Sequence, residues 1–212
     1  TEGSTLAIKA MLAIIKAKKA EKSNTPPLIL AARNVHKAFI YAAALLDLDV
    51  EWIYPESYTH LCECHITPDD VRLAIKSSKA TPDAVYLTSP DYLGNIADIK
   101  GMADVCDKYS IPLLVDNAHG AYLAFCNENV HPIALGAAMC ADSAHKTLPV
   151  LTGGAYLHIS KKYPEFNNMA REALSLFAST SPSYLTLASL DACNTYLASD
   201  FADKLDACIK KL

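Results

Sequence analysis

Short apolar runs alternate with longer amphipathic segments along the whole of this 212-residue chain. A buried parallel strand reads as a short, continuous apolar run, whereas a helix that covers a sheet carries apolar residues at intervals of three or four. The alternation of these two patterns predicts an α/β domain. We expect a mostly parallel sheet of about six or seven strands with helices on both faces, in three layers.

Six apolar runs are predicted strands, and the amphipathic segments are predicted helices. The strands are residues 28–31, 50–54, 84–87, 112–115, 139–142 and 154–159, and the helices are residues 5–19, 35–46, 68–77, 96–109 and 163–175. Residues 183–212 have apolar residues at helical spacing without proline or glycine, which predicts one long helix. No repeat or flexible linker divides the chain, so we expect a single domain.

Composition and charge argue against some classes of binding partner. With 51% hydrophobic and 20% charged residues, the chain has the composition of a soluble globular protein. The net charge of -4 is mild and the basic residues are scattered, which argues against binding to nucleic acid or to an anionic membrane. The sequence contains neither an apolar stretch of ~18 residues nor a signal-peptide pattern, so we expect a cytoplasmic protein.

The seven cysteines are expected to be reduced thiols, because the count is odd and a domain of this size needs no covalent crosslinks. Cys62, Cys64 and His65 form the most suggestive group. Their spacing is too tight for the usual two-residue gap between paired zinc thiolates, and no second pair is nearby. We therefore predict no metal site, and we interpret this segment as the approach to a helix capped by Thr67.

Two candidate catalytic residues follow predicted strands. Asp116 comes directly after the apolar run 111–115, and Lys146 lies among small and hydroxyl residues after the strand at 139–142. Ligands of open α/β sheets bind beyond the carboxyl ends of the strands. A lysine whose pKa is lowered by burial can form a Schiff base with an aldehyde cofactor, and a buried carboxylate can keep a pyridine nitrogen protonated. The pairing indicates pyridoxal phosphate, although a turn or capping aspartate is the simpler alternative.

Two segments offer the groups that a phosphate requires. Gly3, Ser4 and Thr5 open a predicted helix, where free backbone N–H groups, hydroxyls and the positive end of the helix dipole come together. Taken alone, this segment also fits an ordinary capped helix. Ser143 and His145 lie beside the candidate lysine, within reach of a phosphate held near the same strand end.

Two other residues suit a flat aromatic ring. His36 follows the first predicted strand and could stack on an aromatic cofactor, although a lone histidine is more often a surface or satisfied core residue. Ala118 is small enough to let a ring lie against the backbone. Together with the candidate aspartate and lysine, these residues predict a ring-binding site at the carboxyl edge of the sheet.

Four segments, in this order, resemble the Orn/Lys/Arg decarboxylase family, a group within the aminotransferase-like fold (fold type I) of pyridoxal-phosphate enzymes. They are residues 32–37 (ARNVHK), 115–120 (VDNAHG), 143–149 (SAHKTLP) and 179–184 (STSPSY). The resemblance covers nearly the whole chain. It implies that the chain folds as the large, pyridoxal-phosphate-binding domain of that family.

The resemblance also implies a role for each matching residue. Lys146 would be the Schiff-base lysine, Asp116 the partner of the pyridine nitrogen, and His36 the residue that stacks on the ring. Ala118 would pack on the opposite ring face, and His119 would lie near the phenolic oxygen or the substrate carboxylate. The remaining residues would contact the phosphate, the last two of them in a neighbouring subunit: Gly3, Ser4, Thr5, Ser143, His145, Thr180 and Ser181.

The activity that the resemblance implies is decarboxylation of a basic amino acid (arginine, lysine or ornithine) by a homodimer with shared active sites. An aminotransferase or lyase of the same fold, or a noncatalytic truncated homologue, remains an alternative. Members of the family are longer than this chain. We expect residues 1–212 to be the major domain without an N-terminal segment and without the smaller C-terminal domain.

Overall fold

A computed structural model describes residues 1–59 and 62–212, and this part of the chain contains one six-stranded sheet. The strand order is β2-β1-β3-β4-β5-β6; β1 to β5 are parallel, and β6 is antiparallel to β5. The strands are β1 Leu28–Ala32, β2 Asp49–Ile53, β3 Ala84–Thr88, β4 Leu113–Asp116, β5 Met139–Asp142 and β6 Tyr156–Ile159. The predicted α/β class and the mostly parallel sheet are confirmed.

Helices cover both faces of the sheet. They are α1 Gly3–Ala20, α2 Lys37–Leu45, α3 Pro68–Ser77, α4 Ile99–Lys108, α5 Ala144–Thr147, α6 Pro164–Ser175, α7 Tyr184–Leu197 and α8 Phe201–Ile209, with a short 3-10 helix at Ala121–Phe125. One apolar core joins the sheet to α1, α2 and α6, and a second joins its other face to α3 and α4. The predicted three-layer arrangement is therefore confirmed.

The two cores follow from the alternation of side chains along each strand. In β1, Ile29 and Ala31 belong to the first core, whereas Leu30 and Ala32 belong to the second. Successive side chains of a strand point to opposite faces, so a strand covered on both sides must be apolar throughout. All five residues of β1 are buried, as that requirement predicts.

The register of the sheet determines where the site can form. Thr88 at the end of β3 is paired with Asp116 at the end of β4, and Asp116 is paired with Ala141, one residue before the end of β5. Because these strands are parallel, their carboxyl ends meet at one edge. The segments that follow β4 and β5 therefore begin side by side.

The prediction of one long helix over residues 183–212 is wrong, because α7 ends at Leu197 and α8 starts at Phe201. The Ser199 hydroxyl donates to the carbonyl oxygen of Tyr196 at 2.6 Å. Such local side-chain bonds compete with the helical backbone pattern. The break lets Phe201 meet Phe125, with ring centroids 5.3 Å apart.

Other predictions for the ends of the chain's elements hold to within a few residues. Thr67 caps α3 through a reciprocal pair of bonds with Asp70, as expected for a Thr-x-x-Asp start. Two residues just before Cys62, His60 and Leu61, lie outside the described part of the chain. No helix among the described residues is both long and apolar enough to cross a membrane.

Candidate cofactor site

Asp116 lies at the end of β4 and is 2% exposed. Its Oδ1 accepts a hydrogen bond from the backbone N–H of Ala118 at 3.2 Å. Burial raises the pKa of Asp116 to about 6, although the Ala118 bond and the positive charge of Lys146 act in the opposite direction. A buried carboxylate of this kind is stabilised in its ionised form by a cationic hydrogen-bond donor.

Lys146 lies on the short helix α5, which starts two residues after β5 ends. Its Nζ is 3.1 Å from Nε2 of His119, in the turn that follows β4. The expectation that Lys146 is buried is wrong for the single chain, where the side chain is exposed. The reason is that α5 lies at the open edge of the sheet, where the described residues leave the amine uncovered.

Two histidines and a tyrosine line the same edge. His36 precedes α2, and its Nδ1 accepts a hydrogen bond from the Ala38 N–H at 3.1 Å. Tyr92 lies between the two histidines, with its ring centroid 6.4 Å from His36 and 5.6 Å from His119. Burial, followed by the charge of Lys146, lowers the pKa of both histidines, which favours the neutral form of both rings.

Tyr92 is a site residue that the sequence analysis missed. It follows β3 by four residues, and its ring is half-exposed beside His36 and His119. An aromatic residue just beyond the carboxyl end of a strand was the available signal, because ligands of open α/β sheets bind there.

A pair of hydroxyls lies at the start of α1. Ser143 is fully buried, and its Oγ donates to Ser4 Oγ at 2.7 Å across a separation of 139 residues. Gly3 opens the 18-residue helix α1, whose first turn contains no acidic residue. The helix dipole and the free N–H groups at this end favour an anion. Thr5, the next residue of the same turn, is exposed.

Backbone contacts attach the start of α1 to the segment that precedes β6. Gly3 N–H donates to Gly153 O, and Glu2 forms an isolated bridge with Gly154. Gly154 O also accepts from the backbone N–H of His145 at 3.1 Å and lies 3.0 Å from its Nδ1. Since a carbonyl can only accept, Nδ1 carries the proton, and Nε2 of His145 is left as the free ring nitrogen.

Thr180 and Ser181 stand apart from these groups. Both are exposed in the segment between α6 and α7, and neither forms a hydrogen bond to Ser4, Ser143 or His145. The neighbouring Ser179 N–H donates to Glu2 at 3.4 Å, which places the segment beside the start of α1. Ala118, in contrast, is buried, and its N–H is bonded to the Asp116 carboxylate.

The residues present fit pyridoxal phosphate. Asp116 provides an acceptor for a pyridine N–H, the start of α1 provides donors for a phosphate, and Lys146 provides an amine. The hydroxyls of Thr88 and Thr147 are buried without a hydrogen-bond partner; Thr88 is paired with Asp116, and Thr147 follows Lys146. Unpaired buried hydroxyls at a site are donors available to a ligand.

The sequence as a whole matches a known family. The family described as "Orn/Lys/Arg decarboxylase, major domain" matches over residues 1–211. The chain belongs to this family.

Individual relatives agree with the family assignment. The protein YaaO of Bacillus subtilis (strain 168) is 35% identical over 174 residues, which cover 80% of this chain and 35% of YaaO. An arginine decarboxylase of Halalkalibacterium halodurans is 33% identical over 179 residues, which cover 82% of this chain and 36% of that enzyme. The chain thus spans about a third of the length of these relatives.

Solved structures show the same fold. The constitutive lysine decarboxylase of E. coli superimposes with a TM-score of 0.74 at 20% identity, covering 98% of this chain and 30% of that chain. A SepCysS chain in complex with the SepCysE N-terminal domain superimposes with a TM-score of 0.72 at 17% identity, covering 100% of this chain and 55% of that chain. At these identities the likeness concerns the fold alone.

Proposed function

We propose that residues 1–212 form the pyridoxal-phosphate-binding major domain of a decarboxylase that acts on arginine, lysine or ornithine. Family membership and the arginine decarboxylases among the relatives support this proposal. The observation that carries it is the contact of the Lys146 amine with His119, in the turn that follows Asp116. The hydrogen-bonded hydroxyls of Ser4 and Ser143 lie at the same edge of the sheet.

Each group at this edge has a distinct task in the proposal. Lys146 supplies the amine that attaches the cofactor, and Asp116 keeps the pyridine nitrogen protonated. Ser4 and Ser143 hold the phosphate at the start of α1, whereas the N–H of Gly3 is already bonded to Gly153 O. When bound, pyridoxal phosphate withdraws electrons from the Cα of an amino acid, which allows the carboxylate to leave as carbon dioxide.

The neutral histidines suit this arrangement. An uncharged His36 ring can stack on a protonated pyridine ring without charge repulsion. His119 Nε2 lies next to the Lys146 amine, so it can accept a proton from Lys146 or hold a proton that the amine returns. Both roles start from a neutral ring, and the lowered pKa that burial and the Lys146 charge give to these histidines favours that form.

The proposal includes a homodimer with shared sites. Lys146 and Tyr92 are exposed in the single chain, although chemistry of this kind requires exclusion of water. Thr180 and Ser181 are exposed near the start of α1 and are available to a neighbouring copy. Light scattering of the purified chain tests this part: a mass of twice the chain's 22.9 kDa supports it, and a monomer with complete cofactor occupancy contradicts it.

Cofactor attachment is the first test. The protein is mixed with pyridoxal phosphate, reduced with borohydride and digested, and the labelled peptide is mapped. We expect the label on Lys146. The Lys146→Ala variant should lose the label, whereas Lys37→Ala, which removes an exposed lysine beside His36, should retain it. Label that persists in Lys146→Ala would contradict the assignment.

Product analysis tests the reaction. The chain loaded with cofactor is incubated separately with arginine, lysine and ornithine, and carbon dioxide and the corresponding amine are measured. Release of both in equal amounts supports decarboxylation. A keto acid in place of the amine would show transamination instead, and attachment without any product would favour a noncatalytic homologue.

A further inference from the structure

A second buried carboxylate lies behind the candidate cofactor site. Asp142, the last residue of β5, is 2% exposed. Its Oδ2 is 3.0 Å from His131 Nε2 and 3.1 Å from His158 Nε2. Its Oδ1 accepts from Asn117 Nδ2 at 2.7 Å and from Cys140 Sγ at 3.2 Å. We call these five residues the Asp142 cluster.

Three residues of the Asp142 cluster, His131, Asp142 and His158, line a cavity of about 380 Å³. The nitrogens of His131 and His158 and the carboxylate lie within 4.8 Å of one another, as the ligands of a metal ion would. The hydrogen bonds of His131 oppose that interpretation. Its Nδ1 accepts from the backbone N–H of Ile133 at 3.3 Å, so the neutral ring carries its proton on Nε2. That nitrogen therefore donates to Asp142 and has no free lone pair for a metal.

Asn117 connects the Asp142 cluster to the cofactor site. Its side chain is fully buried, and its Nδ2 must face Asp142 because an ionised carboxylate can only accept. Its Oδ1 is buried without a partner, so the amide gives up one hydrogen bond in this orientation. A Cβ placed on Gly120 would lie 2.1 Å from that oxygen, which shows how closely the turn folds over the amide.

The turn at residues 117–120 contains two residues of the candidate cofactor site. Asn117 N–H donates to Ala141 O at 3.0 Å, and Gly120 N–H donates to Asn117 O at 2.9 Å. Between these two anchors lie Ala118, which bonds Asp116, and His119, which meets the candidate lysine. The side-chain bond from Asn117 to Asp142 is the link that joins this turn to β6 and to the His131 segment.

We propose that Asp142, held by His131 and His158, is a positioning residue that fixes the Asn117 amide and thereby orients Asp116 and His119 towards the cofactor. The inference rests on the proposed function, because it assigns a task to the turn at that site. It predicts that loosening the Asn117 amide alters Asp116 without unfolding the chain.

The test compares Asn117→Ala with the pair His158→Phe and His158→Gln. Carboxyl NMR of the protein without cofactor measures the pKa of Asp116, and absorbance titration measures the affinity for pyridoxal phosphate. In Asn117→Ala we expect the pKa of Asp116 to rise, because its bond from Ala118 N–H loosens. We expect the affinity to fall by about tenfold, the typical effect of a lost hydrogen bond to a charged group.

The His158 pair distinguishes positioning from general destabilisation. Phe removes the donor to Asp142 and should shift the Asp116 pKa in the same direction as Asn117→Ala. Gln restores an N–H donor and should return the Asp116 pKa to that of the unaltered chain. Far-UV circular dichroism identifies any variant that fails to fold. If Asn117→Ala and His158→Phe fold and leave both the pKa and the affinity unchanged, the proposal is wrong.

Two further outcomes separate the possible failures. If the unaltered chain takes up no pyridoxal phosphate, the proposed function fails, yet the Asp116 pKa of the cofactor-free variants still tests the positioning role. If Zn²⁺ added in stoichiometric amount shifts the ring signals of His131 and His158 together, the Asp142 cluster is a metal centre and the positioning proposal is overturned.

Discussion

Asp116 and Asp142 end neighbouring strands and are equally buried, yet their pKa values move in opposite directions. Burial raises the pKa of Asp116 to about 6, because the Ala118 N–H, the charge of Lys146 and the Tyr86 hydroxyl do not offset it. Burial also acts to raise the pKa of Asp142, but the hydrogen bonds from His131 and His158 outweigh it and hold that pKa well below its usual range.

The difference lies in what surrounds each charge. Asp142 receives donors from two histidines, an asparagine and a cysteine of its own chain, so its ionised form is stabilised inside the fold. Asp116 receives the backbone N–H of Ala118 and lies beside the buried Tyr86 hydroxyl, and these two donors do not offset its burial, so its ionised form would be stabilised further by a cationic partner. The first arrangement is typical of a structural anion and the second of a ligand site. The contrast supports pyridoxal phosphate binding at Asp116.

Removing Asp142, the carboxylate with more hydrogen-bond donors, should have the largest effect on stability. We expect Asp142→Ala to lower the free energy of unfolding at pH 7 by about 3 kcal/mol or more, because buried donors of His131 and Asn117 lose their acceptor. Urea unfolding measures the change. Asp142→Asn, which keeps the volume and one acceptor oxygen, should cost less. Equal stability of Asp142→Ala and the unaltered chain would contradict the comparison.

Removing the charge of Asp116 should stabilise the chain, in contrast to the loss of stability expected for Asp142→Ala. Without cofactor, Asp116→Asn should stabilise the chain at pH 8 by about 2–3 kcal/mol, since a rise of the pKa from 3.8 to about 6 is a cost of that order. The folded state holds its proton more tightly than the unfolded state, so stability falls as the pH rises from about 4 through 6.

Urea unfolding of the cofactor-free protein from pH 4 to pH 8 measures this prediction. The fall in stability of the unaltered chain between pH 4 and pH 6 should disappear in Asp116→Asn. A variant that is less stable than the unaltered chain at pH 8 would show that the ionised Asp116 already has a sufficient partner inside the fold.

The affinity for pyridoxal phosphate should also depend on the ionisation of Asp116, with a smaller effect than the change in unfolding free energy. If the pKa of Asp116 is about 6, roughly one tenth of the protein is ionised at pH 5, and binding that needs the ionised form should be about tenfold weaker there than at pH 7.5. Absorbance titration at the two pH values measures this ratio. The same titration of Asp116→Asn removes contributions from the titration of pyridoxal phosphate itself. Equal ratios in the two proteins would assign the pH dependence elsewhere.

The two aspartates also differ in how far the sequence could predict them. Asp116 directly follows one predicted strand and Lys146 comes a few residues after another, so the strand pattern alone places them at the ligand-binding edge. The Asp142 cluster depends on long-range geometry, since His158 reaches β5 through the antiparallel pairing of β6, in which it lies opposite Cys140. A periodicity argument does not contain that register.

Two other differences from the sequence predictions have local causes. The exposure of Lys146 depends on what covers the edge of the sheet, which no pattern within the segment encodes. The break between α7 and α8 was easier to predict from the sequence, because the side chains of Ser199 and Asp200 compete with the helical backbone for hydrogen bonds. The apolar spacing on either side outweighed that signal in the prediction.

The smallest expected effect concerns the weakest donor to Asp142. The thiol of Cys140 donates to Oδ1 at 3.2 Å and is fully buried, where burial raises its pKa well above the usual range and keeps it protonated. Cys140→Ala should therefore cost about 1 kcal/mol of unfolding free energy beyond its packing loss, whereas Cys140→Ser retains a hydroxyl donor and should restore that part. Urea unfolding of both variants decides this. If Ser is no better than Ala, the carboxylate is held by its two histidines and Asn117 alone, and the contrast with Asp116 rests on those three residues.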